Sequence, residues 1–165
     1  MSNDRFKFRC GITISHYDDD GNDIETLLLV NNVSIYDDGE VGFDRDSLKE
    51  AVKEVVKREN LTEEEERTLW NSLDEYEVFE DWYQMSADFI EQCTGLKDKN
   101  GKLIYEGDIM EHRIYLGNPE LYVVKWSESV NGWVYQDAKN SLKTSYILTE
   151  FTDSIIGNIH EKESK

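Results

Sequence analysis

Residues 92–109 read Gln92-Cys93-Thr94-Gly95-Leu96-Lys97-Asp98-Lys99-Asn100-Gly101-Lys102-Leu103-Ile104-Tyr105-Glu106-Gly107-Asp108-Ile109. Asp98-Lys99-Asn100-Gly101 is turn chemistry: Asp and Asn bond their own backbone, and Gly takes a positive φ without steric cost. The flanks, 89–93 and 103–110 (the latter continuing to Tyr115), are strand candidates. Gly107 falls inside the second of them, where a glycine marks a bulge or sharp bend. Small barrels bend their strands at such positions. Further candidates follow at 121–126, 132–135, 145–148 and 155–160, with turns at Gly117-Asn118-Pro119 and Asn131-Gly132. Many short strands separated by turns predict a small barrel or curled sheet.

Upstream the pattern begins as β and turns helical. Residues 5–15 alternate charged and apolar, then run β-branched, which is strand chemistry because successive side chains point to opposite faces. Asp18-Asp19-Asp20-Gly21-Asn22-Asp23 is a turn. Residues 24–36 read as one or two strands, and Asp37-Asp38-Gly39 turns the chain into a short strand at 40–43. Ser47-Leu48-Lys49-Glu50 fits a capping box, with Leu48, Val52 and Val55 on one helical face. Thr62-Glu63-Glu64-Glu65 fits a second, followed by Leu69, Trp70 and Leu73. Four glutamates, Glu63 to Glu66, suit the positive end of that helix dipole. Val78, Phe79, Trp82 and Tyr83 extend the pattern toward a third short helix ending near Met85.

The 92–109 block resembles the signature of the YopX-like family of phage and prophage proteins. Arg5-Phe6-Lys7-Phe8-Arg9, Val123-Val124-Lys125-Trp126 and Ile156-Gly157-Asn158-Ile159-His160-Glu161 support it. The resemblance covers residues 88–161 and the first strand. Cys93 stands where the pattern favours an aromatic, and 16–90 have no recognised counterpart. It implies a mostly β accessory protein encoded by phage or prophage, in the cytoplasm of a bacterial host, and brings no catalytic residues. Gly95, Gly101, Gly107, Asp108, Gly157 and Asn158 are its fold-making positions.

Charge separates the chain into parts. The 165 residues hold 18 Lys plus Arg against 36 Asp plus Glu, a net charge of −18. Residues 16–44 and 60–90 carry −9 each, whereas 45–59 carry +1, so 16–90 account for −17 of the total. Phosphate contacts need Lys and Arg, so this balance disfavours direct nucleic-acid binding. Dense acid instead suits a basic protein partner, of host or phage, whose approach it would steer. Asp18, Asp19, Asp20, Asp37, Asp38, Glu63, Glu64, Glu65 and Glu66 are the candidate partner-binding residues. Nucleic-acid mimicry is a demanding version of that reading. Duplex DNA presents one charge per roughly 1.7 Å, while carboxylates four apart on a helix lie about 6 Å apart. Solubility alone is the plain alternative.

Reactive chemistry is sparse. His16, His112 and His160 are scattered, and no spacing joins any of them to a nucleophile. Cys10 and Cys93 form no CxxC pair, which suits free thiols in a reducing compartment. The Asp18–Asp20 turn fails as an EF-hand loop, because His16 would take the first ligand position and Leu27 the bidentate one. No catalytic residue, metal or cofactor is therefore expected. No apolar run approaches membrane-spanning length, and self-association is left open. Trp126, Trp133 and Tyr135 alternate as core residues do, or else form a stacking surface for a nucleic acid or small ligand. The expected architecture is α+β: a mostly antiparallel small barrel or curled sheet from 1–15 and 88–161. An acidic module at 16–87, with a hairpin and two or three helices, is inserted into it, and 162–165 form a frayed tail. The absence of a flexible linker favours one compact unit.

Overall fold

Ile12, Ile14 and His16 are buried along the first strand while Thr13, Ser15 and Tyr17 face outward, the period of two that the sequence shows. The computed structural model describes residues 7–79, 81–112, 119–139, 146–148 and 153–161. Arg5-Phe6, the continuation to Tyr115, the turn at Gly117-Asn118 and the 162–165 tail lie outside the described residues. The architecture is α+β, mostly antiparallel, and it divides into two compact units. One is Phe8–Ile90; the other contains Lys7 and residues 91–161.

In the first unit, β1 (Phe8–Tyr17) and β2 (Asp23–Asn31) form an antiparallel hairpin from Arg9↔Asn31 to Tyr17↔Asp23. β3 (Ser34–Ile35) and β4 (Glu40–Asp44) make a second hairpin. Two helices follow, α1 (Arg45–Glu59) packed on β2 and α2 (Glu63–Asp74) packed on β1. Leu48, Val52 and Val55 of α1 and Leu69 and Leu73 of α2 are buried with Leu28, Val30, Val41 and Phe43. Each such side chain contributes about 1.5–3 kcal/mol when fully removed from water.

The structure corrects three expectations here. The cap of α1 is Asp44, whose carboxylate accepts from the Ser47 amide at 2.7 Å; Ser47 sits inside the first turn. The third helix is absent: β5 (Glu77–Phe79) and β6 (Trp82–Ser86) form strands, joined through Asp81 at φ 65°. Tyr83 and Met85 are buried while Trp82, Gln84 and Ser86 are not, an alternation that serves a strand; Tyr83 stacks on Phe43 across the β4–β6 pair. β1 pairs with β2 along nine residues. The chain, finally, forms two compact units where the absence of a linker favoured one.

β7 (Phe89–Lys97) leads into the second unit. There β8 (Leu103–Tyr105) pairs with it, and β9 (Asp108–His112), β10 (Glu120–Ser127), β11 (Gly132–Asp137), β12 (Tyr146–Ile147) and β13 (Ser154–Asn158) follow. The last five make a curled antiparallel sheet in the order β12-β11-β10-β9-β13. Ile104, Met110, Tyr122, Val124, Tyr135 and Leu148 form its core. The expected strand at 103–110 is two strands, broken at Glu106-Gly107. No helix among the described residues is long and apolar enough to cross a membrane.

Candidate functional site

Two acidic runs 43 residues apart in sequence meet in the first unit. The β1–β2 turn is built on Asp18, whose Oδ1 accepts from the amides of Asp20 at 3.0 Å and Asn22 at 2.8 Å. Bonds from the Asn22 side chain, then from these amides, hold the Asp18 carboxyl below the usual carboxylate range. Asp19 reaches across to α2, where its Oδ1 accepts from the Thr62 hydroxyl at 2.8 Å. Thr62 is also the N-cap: Glu65 N donates to its hydroxyl at 3.2 Å and Glu65 Oε2 accepts from its amide at 2.8 Å, the reciprocal capping box. One residue thus fixes the acidic turn against the acidic helix start. That bond places Asp19 at the start of α2, where Glu64 is paired with Arg67.

His16 anchors the same region from below. It is buried, with Nε2 at 2.8 Å from Thr26 Oγ1 and Nδ1 at 3.2 Å from Thr68 Oγ1. Thr68 donates to the Tyr17 carbonyl at 2.7 Å, and the Thr26 hydroxyl has a second partner, Glu59 Oε2, at 3.5 Å. Burial lowers the pKa of the His16 imidazole and so favours its neutral form.

The other candidates are placed elsewhere. Asp37 and Asp38 lie exposed on the β3–β4 turn, with Asp38 Oδ1 accepting from Glu40 N at 3.1 Å. Glu66 sits on the side of α2 that carries Trp70, a position shared with basic residues of α1. Trp126 and Trp133 face each other across β10 and β11, rings edge to face at 5.3 Å, with Trp126 47% exposed. Tyr135 is only 8% exposed and belongs to the core, so it is withdrawn from any stacking surface. Burial, with the charge of Asp153 added, pushes its phenol pKa up.

The second unit holds two constellations that no spacing revealed. His112 Nδ1 lies 2.9 Å from the buried Asp153 carboxylate, 41 residues on. Glu91, 3% exposed, accepts from Asn158 Nδ2 at 2.9 Å, and His160 Nε2 approaches the same oxygen at 3.7 Å. Gly107, at φ 80°, leaves the space that Glu91 occupies; a Cβ there would overlap its carboxylate. Asp108 accepts from Tyr105 N at 2.8 Å, closing the bend at Glu106-Gly107. Asn158 Oδ1 takes the His160 amide at 2.9 Å, and the β9–β13 register shifts at Gly157. Asp98 Oδ1 accepts from Asn100 N and Lys102 N, with Gly101 completing the turn, while Gly95 lies in the irregular stretch of the β7–β8 pair.

The signature residues therefore build one bend and one turn around a buried carboxylate. A family model described as YopX protein matches residues 42–164. The chain belongs to the YopX family. The match begins far upstream of residue 88, so most of β4, both helices, β5 and β6 lie within it; residues 42–90, left without a counterpart by the resemblance, are matched, and the first strand, 5–9, is not. β1 to β3 and the first two residues of β4 precede it. No curated protein and no solved structure matches the chain.

Among the described residues, no group of three or more His, Cys, Asp or Glu side chains could hold a metal ion. Cys10 and Cys93 are both buried and free of disulfides. Burial pushes the Cys10 thiol up to about 12, far from the thiolate that reactivity needs.

Proposed function

We propose that this YopX-family protein is a non-enzymatic phage or prophage accessory protein that acts in the bacterial cytoplasm. Its joined acidic surface, Asp18–Asp20 with Glu63–Glu65, engages a basic protein of host or phage. The observation that supports the reading is the Asp19–Thr62 hydrogen bond, which ties the acidic turn to the start of the acidic helix. A hydrophobic or neutral partner would gain nothing from that arrangement. A basic surface that otherwise holds nucleic acid fits it well, since two acidic segments side by side raise the charge density beyond that of one helix. Asp37 and Asp38 extend the negative field without belonging to the contact surface.

The test is affinity capture from a bacterial lysate at low salt, comparing wild type with Asp20→Asn/Glu63→Gln. Both side chains are exposed, and neither anchors the turn nor caps the helix. A basic protein retained by wild type, lost as salt rises and depleted by the double variant supports the reading. Identical capture by both proteins at every salt concentration overturns it. The Trp126–Trp133 pair, in which Trp126 is exposed and Trp133 half-buried against the core, favours a second reading, a stacking site for a nucleic acid or small ligand. Trp126→Ala then abolishes ligand retention while leaving the acidic surface intact.

A further inference from the structure

On the far side of α2 from the acidic turn, α1 and α2 border an open cleft of about 400 Å³ lined by Arg45, Lys49, Val52, Lys53, Glu66 and Trp70. Arg45, Lys49 and Lys53 are four apart and so stand along one edge of α1. Residues 16–90 contain six Lys and Arg against a net −17, and three of the six line this one cleft. Arg45 is held in place by Asp81 at 3.2 Å and Asp74 at 3.9 Å, and its guanidinium lies 5.7 Å from the Trp70 ring centroid. Lys49 and Lys53 make exposed pairs with Asp46 at 3.7 Å and Glu50 at 3.5 Å on their own helix. Exposed pairs of that kind are weak and readily exchanged for a stronger anion.

We propose that this cleft binds a nucleoside phosphate of mononucleotide size. Most of the lining has a use for such a ligand. Lys49 and Lys53 supply mobile cations for the phosphate. Half-buried Trp70 supplies apolar surface for the base; Val52, 1% exposed, adds almost none. Glu66 supplies an acceptor for ribose hydroxyls or a base amine, a role that a simple inorganic anion would leave unused and be repelled by. The volume lies in the small-ligand range of roughly 300–1,000 Å³. Length is limited by charge: Asp46 and Glu50 flank the lysines, and Asp74 and Asp81 lie behind Arg45. A longer nucleic acid leaving the cleft would meet these carboxylates, whereas a single nucleotide would not.

The experiment is a calorimetric titration of the full chain with AMP, GMP, CMP and UMP. Inorganic phosphate, the four nucleosides and a twelve-residue oligothymidylate are its comparison arms. At least one mononucleotide binds about tenfold more tightly, or better, than phosphate and its own nucleoside. Lys49→Gln/Lys53→Gln weakens that binding by about tenfold. Both lysines are exposed, so an unchanged melting temperature shows that the fold is kept. Trp70→Phe retains most of the affinity and Trp70→Ala loses it. The proposal is overturned if no mononucleotide binds below about 1 mM. It is equally overturned if phosphate binds as tightly, if the oligothymidylate binds more tightly, or if the double lysine variant binds like wild type. None of these results depends on the acidic surface.

Discussion

At the scale of single residues, Gly107 carries the most structural weight in the YopX signature. Its φ of 80° is costly for any side chain, and the space beside it is filled by Glu91. A flexible exposed glutamate would swing aside. Glu91 does not have that freedom, because it is buried and bonded to Asn158. Gly107→Val therefore imposes backbone strain and displaces a buried carboxylate from its partner. We expect a loss of about 2–4 kcal/mol from the two effects together. Gly132 provides the comparison: it has no positive φ, and the nearest atom to an added Cβ is the Val130 carbonyl at 3.8 Å. Gly132→Val should lower the melting temperature by only a few degrees; equal, small changes in both variants would refute the assignment. The bend was legible from a glycine between two acids inside a strand pattern. Its cause was not, because Glu91 lies 16 residues away and reads locally as an ordinary exposed acid.

At the scale of elements, His16 ties a hairpin to a helix through an imidazole whose neutral form burial favours. The buried ring bonds Thr26 through Nε2 and Thr68 through Nδ1, and its burial penalises the charged form. Glu65, Glu59 and Asp23 favour the charged form and offset part of the burial effect, but the net shift is downward. The unfolded chain, with an ordinary histidine pKa near about 6.5, thus takes up the proton more readily than the folded one. The resulting stability is fully present above that pH and is lost as pH falls below it. Denaturant titrations of wild type and His16→Gln should show a stability gap that narrows between pH 7.5 and 5; a constant gap would exclude the neutral bridge. Thr62 gives a second measurement at this scale. Thr62→Ala removes the cap of α2 and the bond to Asp19, costing about 1–2 kcal/mol, while Thr62→Ser retains most of both. Helix starts illustrate what sequence can resolve. The Thr62 box was readable because its two partners are three residues apart. At α1 the same logic selected Ser47, yet Asp44 is the cap, since its carboxylate lies one turn before the first buried leucine. Residues 78–85 misled for a different reason: short aromatic runs satisfy both periods, and pairing with β4 decides between them.

At the scale of the whole molecule, the segregation of charge was plain in the sequence, whereas the grouping of individual acids was not. Nothing local joins Asp19 to Thr62, and Glu66, read as one of four equivalent glutamates, faces the basic edge of α1 instead. A helix turns by about 100° per residue, so four consecutive glutamates spread around its axis and cannot form a single face. This geometry changes how the acidic surface must be tested. Neutralising Glu66 would perturb the cleft, and neutralising Asp18 would open the turn. Asp20→Asn/Glu63→Gln removes two charges from the joined surface alone, and Glu106→Gln/Glu128→Gln removes two from the other unit as its control. Long-range attraction acts mainly on the encounter rate and is screened over a Debye length of about 10 Å at 0.1 M salt. With the captured basic partner, the first variant should associate about two- to fivefold more slowly at low ionic strength. Its rate should converge on that of wild type near 1 M salt, where the Debye length is about 3 Å. The control should follow wild type throughout. Equal slowing by both variants would mean that net charge alone steers association, and the Asp18–Asp20 and Glu63–Glu65 surface would have no privileged role.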